Sequence, residues 1–330
     1  MSESTNVAIA CQGGGSHTAF TAGVLEQLFE NWDDDHELVG ISGTSGGAFN
    51  ALAAWYGLVT GGTDDAAEIV TDLWDDIAAN GYAERATNDW LQLLNRFQSA
   101  GLPFPQFSPY QIPGPELGKD RIREILEAHI DFDAIPEHCQ PTRPDLVVGT
   151  VDINAGVFET FTNESVTVDA VLASAAVPNL FEAVEIDDHY HWDGLFSQNP
   201  PVSDLMHQAV DRKPDELWIV QINPQELESE PTTLDEIGDR RNELSGNISL
   251  NQELGFIERI NDWVAEGKLP AEEFKRTKIR RIEMGRRYHC STKMDRDPEF
   301  IDELMDLGRD RAVAFLDGEL SDESVTGGGH

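Results

Sequence analysis

The stretch Gly40-Ile-Ser-Gly-Thr-Ser-Gly-Gly-Ala-Phe49 constrains this chain most. The apolar pair Leu38-Val39 before it reads as the end of a buried strand, and Ala48 to Leu58 after it has helical length and an Ala-rich apolar composition. Between them Gly43-Thr44-Ser45-Gly46-Gly47 fits G-x-S-x-G, a strand–turn–helix elbow that presents a serine. Glycines two positions before and after the serine relieve the crowding of such a turn. The helix that follows aims free N–H groups and its positive dipole end at an atom bound there. A Gly-rich strand-to-helix turn also occurs as plain architecture, so the context decides its meaning.

That context begins near the N-terminus. Val7 to Ala10 reads as a short buried strand, Gly13-Gly14-Gly15 follows, and a helix opens at Ser16 and runs to about Phe29. Strand, glycine loop and helix make an anion-binding arrangement. The loop lacks the spaced glycines of a dinucleotide turn. It suits an oxyanion hole, which needs several N–H donors held before reaction. Two Gly-rich βα turns, the second carrying a serine, point to hydrolysis more than to a structural turn.

A serine hydroxyl needs a base. His207, in an expected helix Val202 to Val210, and His289, in a polar loop, are the late internal histidines. Asp193 is the other candidate, at the end of a short expected strand and followed by Gly194. A buried aspartate gains basicity through desolvation. An Asp-Gly pair is equally a common turn.

The remaining chain alternates strands and helices. A helix is expected over Asp64 to Asn80, and a proline-rich segment over 101–118 reads as a lid or a surface connection. Further helices are expected at Lys119 to Ile130, Val168 to Val177, Thr233 to about Glu266 and Glu299 to Leu316. Strands are expected at Asp145 to Ile153, Gly156 to Thr162, Val184 to Ile186, Glu216 to Asn223 and Arg276 to Met284. Residues 5–222 form the catalytic part, 223–320 an extension packed on it, and 321–330 a flexible tail. The whole reads as one domain.

Lys and Arg number 23 against 61 Asp and Glu, a net charge of −38 spread along the chain. An evenly acidic surface suits a high-salt cytoplasm, where screening removes self-repulsion. It lacks the basic stripe that nucleic acid requires. Three cysteines without metal or redox spacing, no signal-peptide pattern and no apolar run near the roughly 18 residues of a membrane span give the expectation of a soluble, intracellular protein. No metal or cofactor is expected. Arg240-Arg241 and Arg280-Arg281 read as surface residues paired with acids.

Three blocks resemble the patatin-like phospholipases: Gln12-Gly13-Gly14-Gly15, Gly43-Thr44-Ser45-Gly46-Gly47, and Ala173 to Pro178 followed by Trp192-Asp193-Gly194 and Asn199-Pro200-Pro201-Val202. The resemblance implies a three-layer α/β/α fold with a mainly parallel sheet. It also implies a Ser–Asp dyad of Ser45 and Asp193, with the N–H groups of Gly13, Gly14 and Gly15 as oxyanion hole. Ser16-His17 stands where that family usually has a cation, and Leu195 where it favours Gly or Ala. The segment Asp235 to Leu250 and the acidic composition look similar to a salt-adapted archaeal branch, the intracellular polyhydroxyalkanoate depolymerases. The implied partner is a lipid or polyester ester at an apolar interface, a membrane surface or storage granule. A phospholipase, lysophospholipase or acylglycerol lipase is the alternative, and a lipid- or nucleotide-binding module the non-enzymatic one.

Overall fold

The computed structural model describes residues 4–81, 108–111, 114–178, 180–207, 211–227 and 229–320. Its eight strands are β1 (Thr5–Cys11), β2 (His36–Gly43), β3 (Asp145–Asp152), β4 (Val157–Thr162), β5 (Val184–Ile186), β6 (His189–Asp193), β7 (Glu216–Gln221) and β8 (Lys278–Glu283). They form one sheet in the order β5-β6-β3-β2-β1-β7-β8, with β4 paired to β3. From β3 to β8 neighbours are parallel, whereas β4, β5 and β6 add antiparallel pairs at the β3 edge.

The helices are α1 (Ala19–Glu30), α2 (Gly46–Thr60), α3 (Thr63–Ile77), α4 (Gly114–His129), α5 (Ile135–His138), α6 (Val168–Ser174), α7 (Leu234–Ala265) and α8 (Pro298–Leu316). Along β1 the side chains alternate between two cores, as a strand buried on both faces must. Val7, Ile9 and Cys11 face the core under α1, α2, α3, α6 and α8. Ala8 and Ala10 face a smaller core closed by Leu250, Leu254 and Ile257 of α7 and by Val202 and Leu205. This is the expected α/β/α layering around a mainly parallel sheet.

The sequence reading placed most elements and missed some ends. The first helix starts with a 3₁₀ turn, Gly15–Thr18, before α1. The helix expected from Lys119 begins earlier, at Gly114, because Pro115 is tolerated in a first turn where no N–H is needed. The helix expected over Val202 to Val210 is instead a 3₁₀ turn, Ser203–Met206, among the described residues. Within the expected lid, residues 101–107, 112 and 113 lie outside the described residues, as does the tail 321–330. The extension supplies a strand as well as helices, since β8 pairs in parallel with β7 at the sheet edge. Among the described residues no helix is long and apolar enough to cross a membrane.

Candidate active site

β2 ends at Gly43 and α2 begins at Gly46, so Ser45 sits at the N-cap of α2, facing the carboxyl ends of the parallel strands. Its backbone has φ 56° and ψ −132°, a region that costs a non-glycine residue about 1–3 kcal/mol. The turn can be this tight because of its glycines. A Cβ on Gly47 would lie 2.3 Å from the Cys11 carbonyl oxygen, and one on Gly13 the same distance from the Thr44 carbonyl oxygen. The glycine loop and the serine elbow therefore touch through backbone.

Ser174, the last residue of α6, holds the strained serine. Its Oγ accepts the Ser45 N–H at 2.9 Å and donates to the Gly149 carbonyl at 2.7 Å. Ser174 lies within the Ala173 to Pro178 block, and in sequence the polar residue at the end of an Ala-rich helix is only a weak signal of this role.

Asp193 ends β6, opposite Thr150 of β3, and is fully buried. Next to it, Gly194 packs against Thr44, where an added Cβ would approach Thr44 Cγ2 to 3.0 Å. Three further bonds sew the following segment to the elbow and loop: Thr44 Oγ1 donates to the Gln198 carbonyl, Ser42 Oγ to that of Pro201, and Gly13 N–H to Asn199 Oδ1. The structure thus brings Asp193 to Ser45 across 148 positions of sequence. Asp193 Oδ1 accepts the Leu195 N–H at 2.9 Å, while Oδ2 is buried and has no partner of ordinary hydrogen-bond geometry. Burial pushes this carboxyl up from 3.8 to about 7, against the smaller lowering pulls of the Leu195 N–H and the Ser45 hydroxyl. A long or misaligned serine–base contact is usual where no substrate is bound.

The glycine loop differs from expectation in one position. The Gly13 N–H is already donated to Asn199 Oδ1 at 2.6 Å, and Asn199 Nδ2 returns a bond to the Gly13 carbonyl at 3.2 Å. Gly13 is thereby removed from the expected oxyanion donors and becomes a fixed point of the loop. Gly14 and Gly15 have no N–H acceptor among the described residues. Behind the loop Gln12 is fully bonded. Its Oε1 accepts from Ile222 and Asn223 N–H, and its Nε2 donates to the Asn199 carbonyl and to Asn247 Oδ1. Asn247 belongs to α7, so the C-terminal extension buttresses the site; nothing local in that helical sequence announces it.

His17 stands where the family usually has a cation. It is buried against Tyr288 and Phe300, and its Nε2 meets Thr292 Oγ1 at 2.7 Å. Burial first, and the nearby Lys293 ammonium second, push its pKa down to about 3, so the ring is neutral. Lys293 is itself neutralised, bonding Asp239 at 2.6 Å and Glu243 at 3.5 Å.

His207 is exposed and lies near Asp204, and His289 caps the turn at Cys290–Met294; neither bonds Ser45 or Asp193 among the described residues. The expectation of acid-paired surface arginines holds for the pairing of two of them and needs correcting for their exposure. Arg240 and Glu243 form a largely buried pair, and Arg281 bonds the neutral amides of Gln221 and Asn251. Arg280 does pair with Glu216 but also stacks on Phe315, and Arg241 has no partner among the described residues. Asp152, Glu159 and His191 gather ligand-type atoms within 4.8 Å. These side chains bond inside the cluster or to the adjoining turn, which reads as a polar closure of the β3–β4–β6 corner.

A sequence profile of the family described as patatin-like phospholipase matches residues 9–206, well over half of the chain. The chain belongs to the patatin-like phospholipase family. It is accordingly an ester hydrolase, and the match runs from the end of β1 through β6 and includes Ser45 and Asp193. Among solved structures, VipD from Legionella pneumophila is similar at 14% identity and a TM-score of 0.47, over 96% of this chain and 67% of that one. A chain of the ExoU–SpcU complex from the type III secretion system of Pseudomonas aeruginosa is similar at 14% identity and a TM-score of 0.37, over 96% of this chain and 52% of that one. This patatin-like chain thus spans about two thirds of the first and about half of the second. No curated protein is significantly similar to it in sequence.

Proposed function

We propose that this patatin-like protein hydrolyses lipid-type carboxylic esters through a Ser45–Asp193 dyad. The observation that carries the reading is the Asp193 carboxyl: wholly buried, pushed up to about 7 by that burial, and near enough to the Ser45 hydroxyl to be lowered slightly by it. A carboxylate of that basicity takes a proton from serine near neutral pH, as one of ordinary pKa does not.

In the first half-reaction Ser45 Oγ attacks the acyl carbonyl as its proton passes to Asp193. The oxyanion is held by the N–H groups of Gly14 and Gly15, with the N-terminus of α2 contributing its dipole. Collapse of the intermediate breaks the ester C–O bond, and the departing alcohol takes the proton from Asp193. Water then gives a proton to Asp193 and attacks the acyl-enzyme, releasing the acid and restoring Ser45.

The substrate reading divides between phospholipid or acylglycerol and storage polyester. The family favours the first; the second rests on the segment Asp235 to Leu250, which is the first half of α7. The primary test is hydrolysis of a short p-nitrophenyl acyl ester by wild type, Ser45→Ala and Asp193→Asn. Loss in both variants, with circular dichroism unchanged, is the expected result, and an Asp193→Asn enzyme of wild-type rate would sink the dyad. Turnover of hydroxybutyrate oligomers against phospholipid vesicles then separates the substrates.

A further inference from the structure

α7 is the longest helix among the described residues, 32 residues, and its inner face is spent on the sheet and on Asn247. Its outer face is unusual for so acidic a chain. Six apolar side chains stand exposed at helical spacing along it: Leu234, Ile237, Leu244, Ile248, Phe256 and Trp263, with Leu234 85% and Phe256 62% accessible. By the rise of 1.5 Å per residue this stripe runs for about 44 Å. Between them lie Arg241, Gln252 and Arg259, also exposed. Neither arginine has an ion pair or hydrogen bond among the described residues, although the chain carries 61 acids. The one acid facing solvent on α7 among the described residues is Asp262, in the last turn.

The contrast with α8 shows that this is a property of the face. On α8 the exposed positions include Glu299, Asp302, Glu303, Asp306 and Asp310. Acids therefore line the exposed positions of α8, whereas on α7 Asp262 is the one exposed acid among the described residues. Exposed apolar side chains without such cover mark a surface that meets something. Guanidiniums without a partner among the described residues, set among apolar and aromatic side chains, match a phosphate-bearing apolar surface. They bind phosphate oxygens in bidentate fashion, while Phe and Trp enter the headgroup boundary. Beside Phe256 the stripe meets a cavity of about 560 Å³, also walled by Met206, Ile260 and Phe274, which extends the apolar surface.

We infer that the outer face of α7 is the surface by which the enzyme docks onto a phospholipid layer. The choice of a lipid surface rests on the lipid-ester reading above; the existence of the docking face does not. The inner side of the same helix holds Gln12 through Asn247, and Ser245 Oγ donates to the Phe196 carbonyl just after Asp193. Docking would seat the layer on the helix that buttresses the site.

The test is flotation of the full chain with vesicles of phosphatidylglycerol and phosphatidylcholine, at a salt concentration that keeps it folded. Wild type and Ser45→Ala should float equally. The double variant Ile248→Asp, Phe256→Asp should lose binding by roughly tenfold or more, because two anchors no longer bury. Arg241→Gln with Arg259→Gln should bind more weakly as well, while both double variants hydrolyse a soluble short-chain ester at the wild-type rate. Ser45→Ala that floats beside a wild type that cleaves no ester would end the hydrolase reading and leave docking standing. Failure of wild type to float, or equal flotation of the aspartate variant, overturns docking. So does light scattering that finds a wild-type dimer split by the aspartates without vesicle binding, since the face would then pair two copies of the chain.

Discussion

At the residue scale Asp193 links stability to activity with opposite signs. Its pKa is raised from 3.8 to about 7 in the folded chain, so above pH 7 folding carries a buried carboxylate that the unfolded chain ionises freely. The resulting loss of stability grows from about pH 4 to pH 7 and is complete above it. Asp193→Asn should therefore raise the melting temperature at pH 8 and change it little at pH 4, while wild-type kcat/KM climbs through about pH 7 to a plateau. Thermal unfolding at both pH values and a rate profile check the pair; a flat profile across neutrality would contradict it. Ser174 gives a second prediction. Ser174→Ala leaves the Ser45 N–H and the Gly149 carbonyl without their partner, a loss of about 1–3 kcal/mol. The same change should lower kcat more than it alters KM, because it frees the strained serine without touching a binding surface. Steady-state kinetics on a soluble ester decide this.

Among the elements, α1 and α8 show how the layers close. A Cβ on Gly308 of α8 would lie 2.1 Å from the Phe20 carbonyl oxygen, and one on Gly23 of α1 2.0 Å from that of Met305. The two backbones touch, so Gly308→Ala must push the helices apart. A loss of about 1–3 kcal/mol is expected from such overpacking, read as a lower denaturant midpoint. The contact was invisible in sequence, since a glycine inside an amphipathic helix looks the same whether it faces solvent or another backbone. α7 gives the converse case. Its helical pattern was readable from 233 to 266, and its capping box at Thr233 and Glu236 gives the start a physical cause. That Asn247 turns inward to Gln12 depended on where the helix lands on the sheet.

For the whole molecule the net charge of −38 dominates. Ion pairs such as Lys293 with Asp239 and Arg309 with Glu26 offset some of this, but 23 Lys and Arg cannot match 61 acids one for one. Uncompensated carboxylates repel in the compact state, and salt screens that repulsion. The melting temperature should rise by several degrees between dilute buffer and molar sodium chloride, and calorimetry in a salt series would show it. A melting temperature independent of salt would mean that the acids are too far apart to matter.

The local patterns determined the strand–turn–helix elbow at Ser45, the glycine loop, the α/β alternation and the acidic surface, because each is written in neighbouring residues through period, turn chemistry or composition. Tertiary structure decided the rest. It brought the buried Asp193 carboxyl near Ser45, tied the Gly13 N–H to Asn199, and, among the described residues, left His207 and His289 without a bond to either Ser45 or Asp193. It also turned one side of α7 to the sheet and the other to solvent. These outcomes depend on which segments meet across the sheet and on how much water packing leaves around a carboxyl or an N–H, quantities that no local stretch of sequence contains.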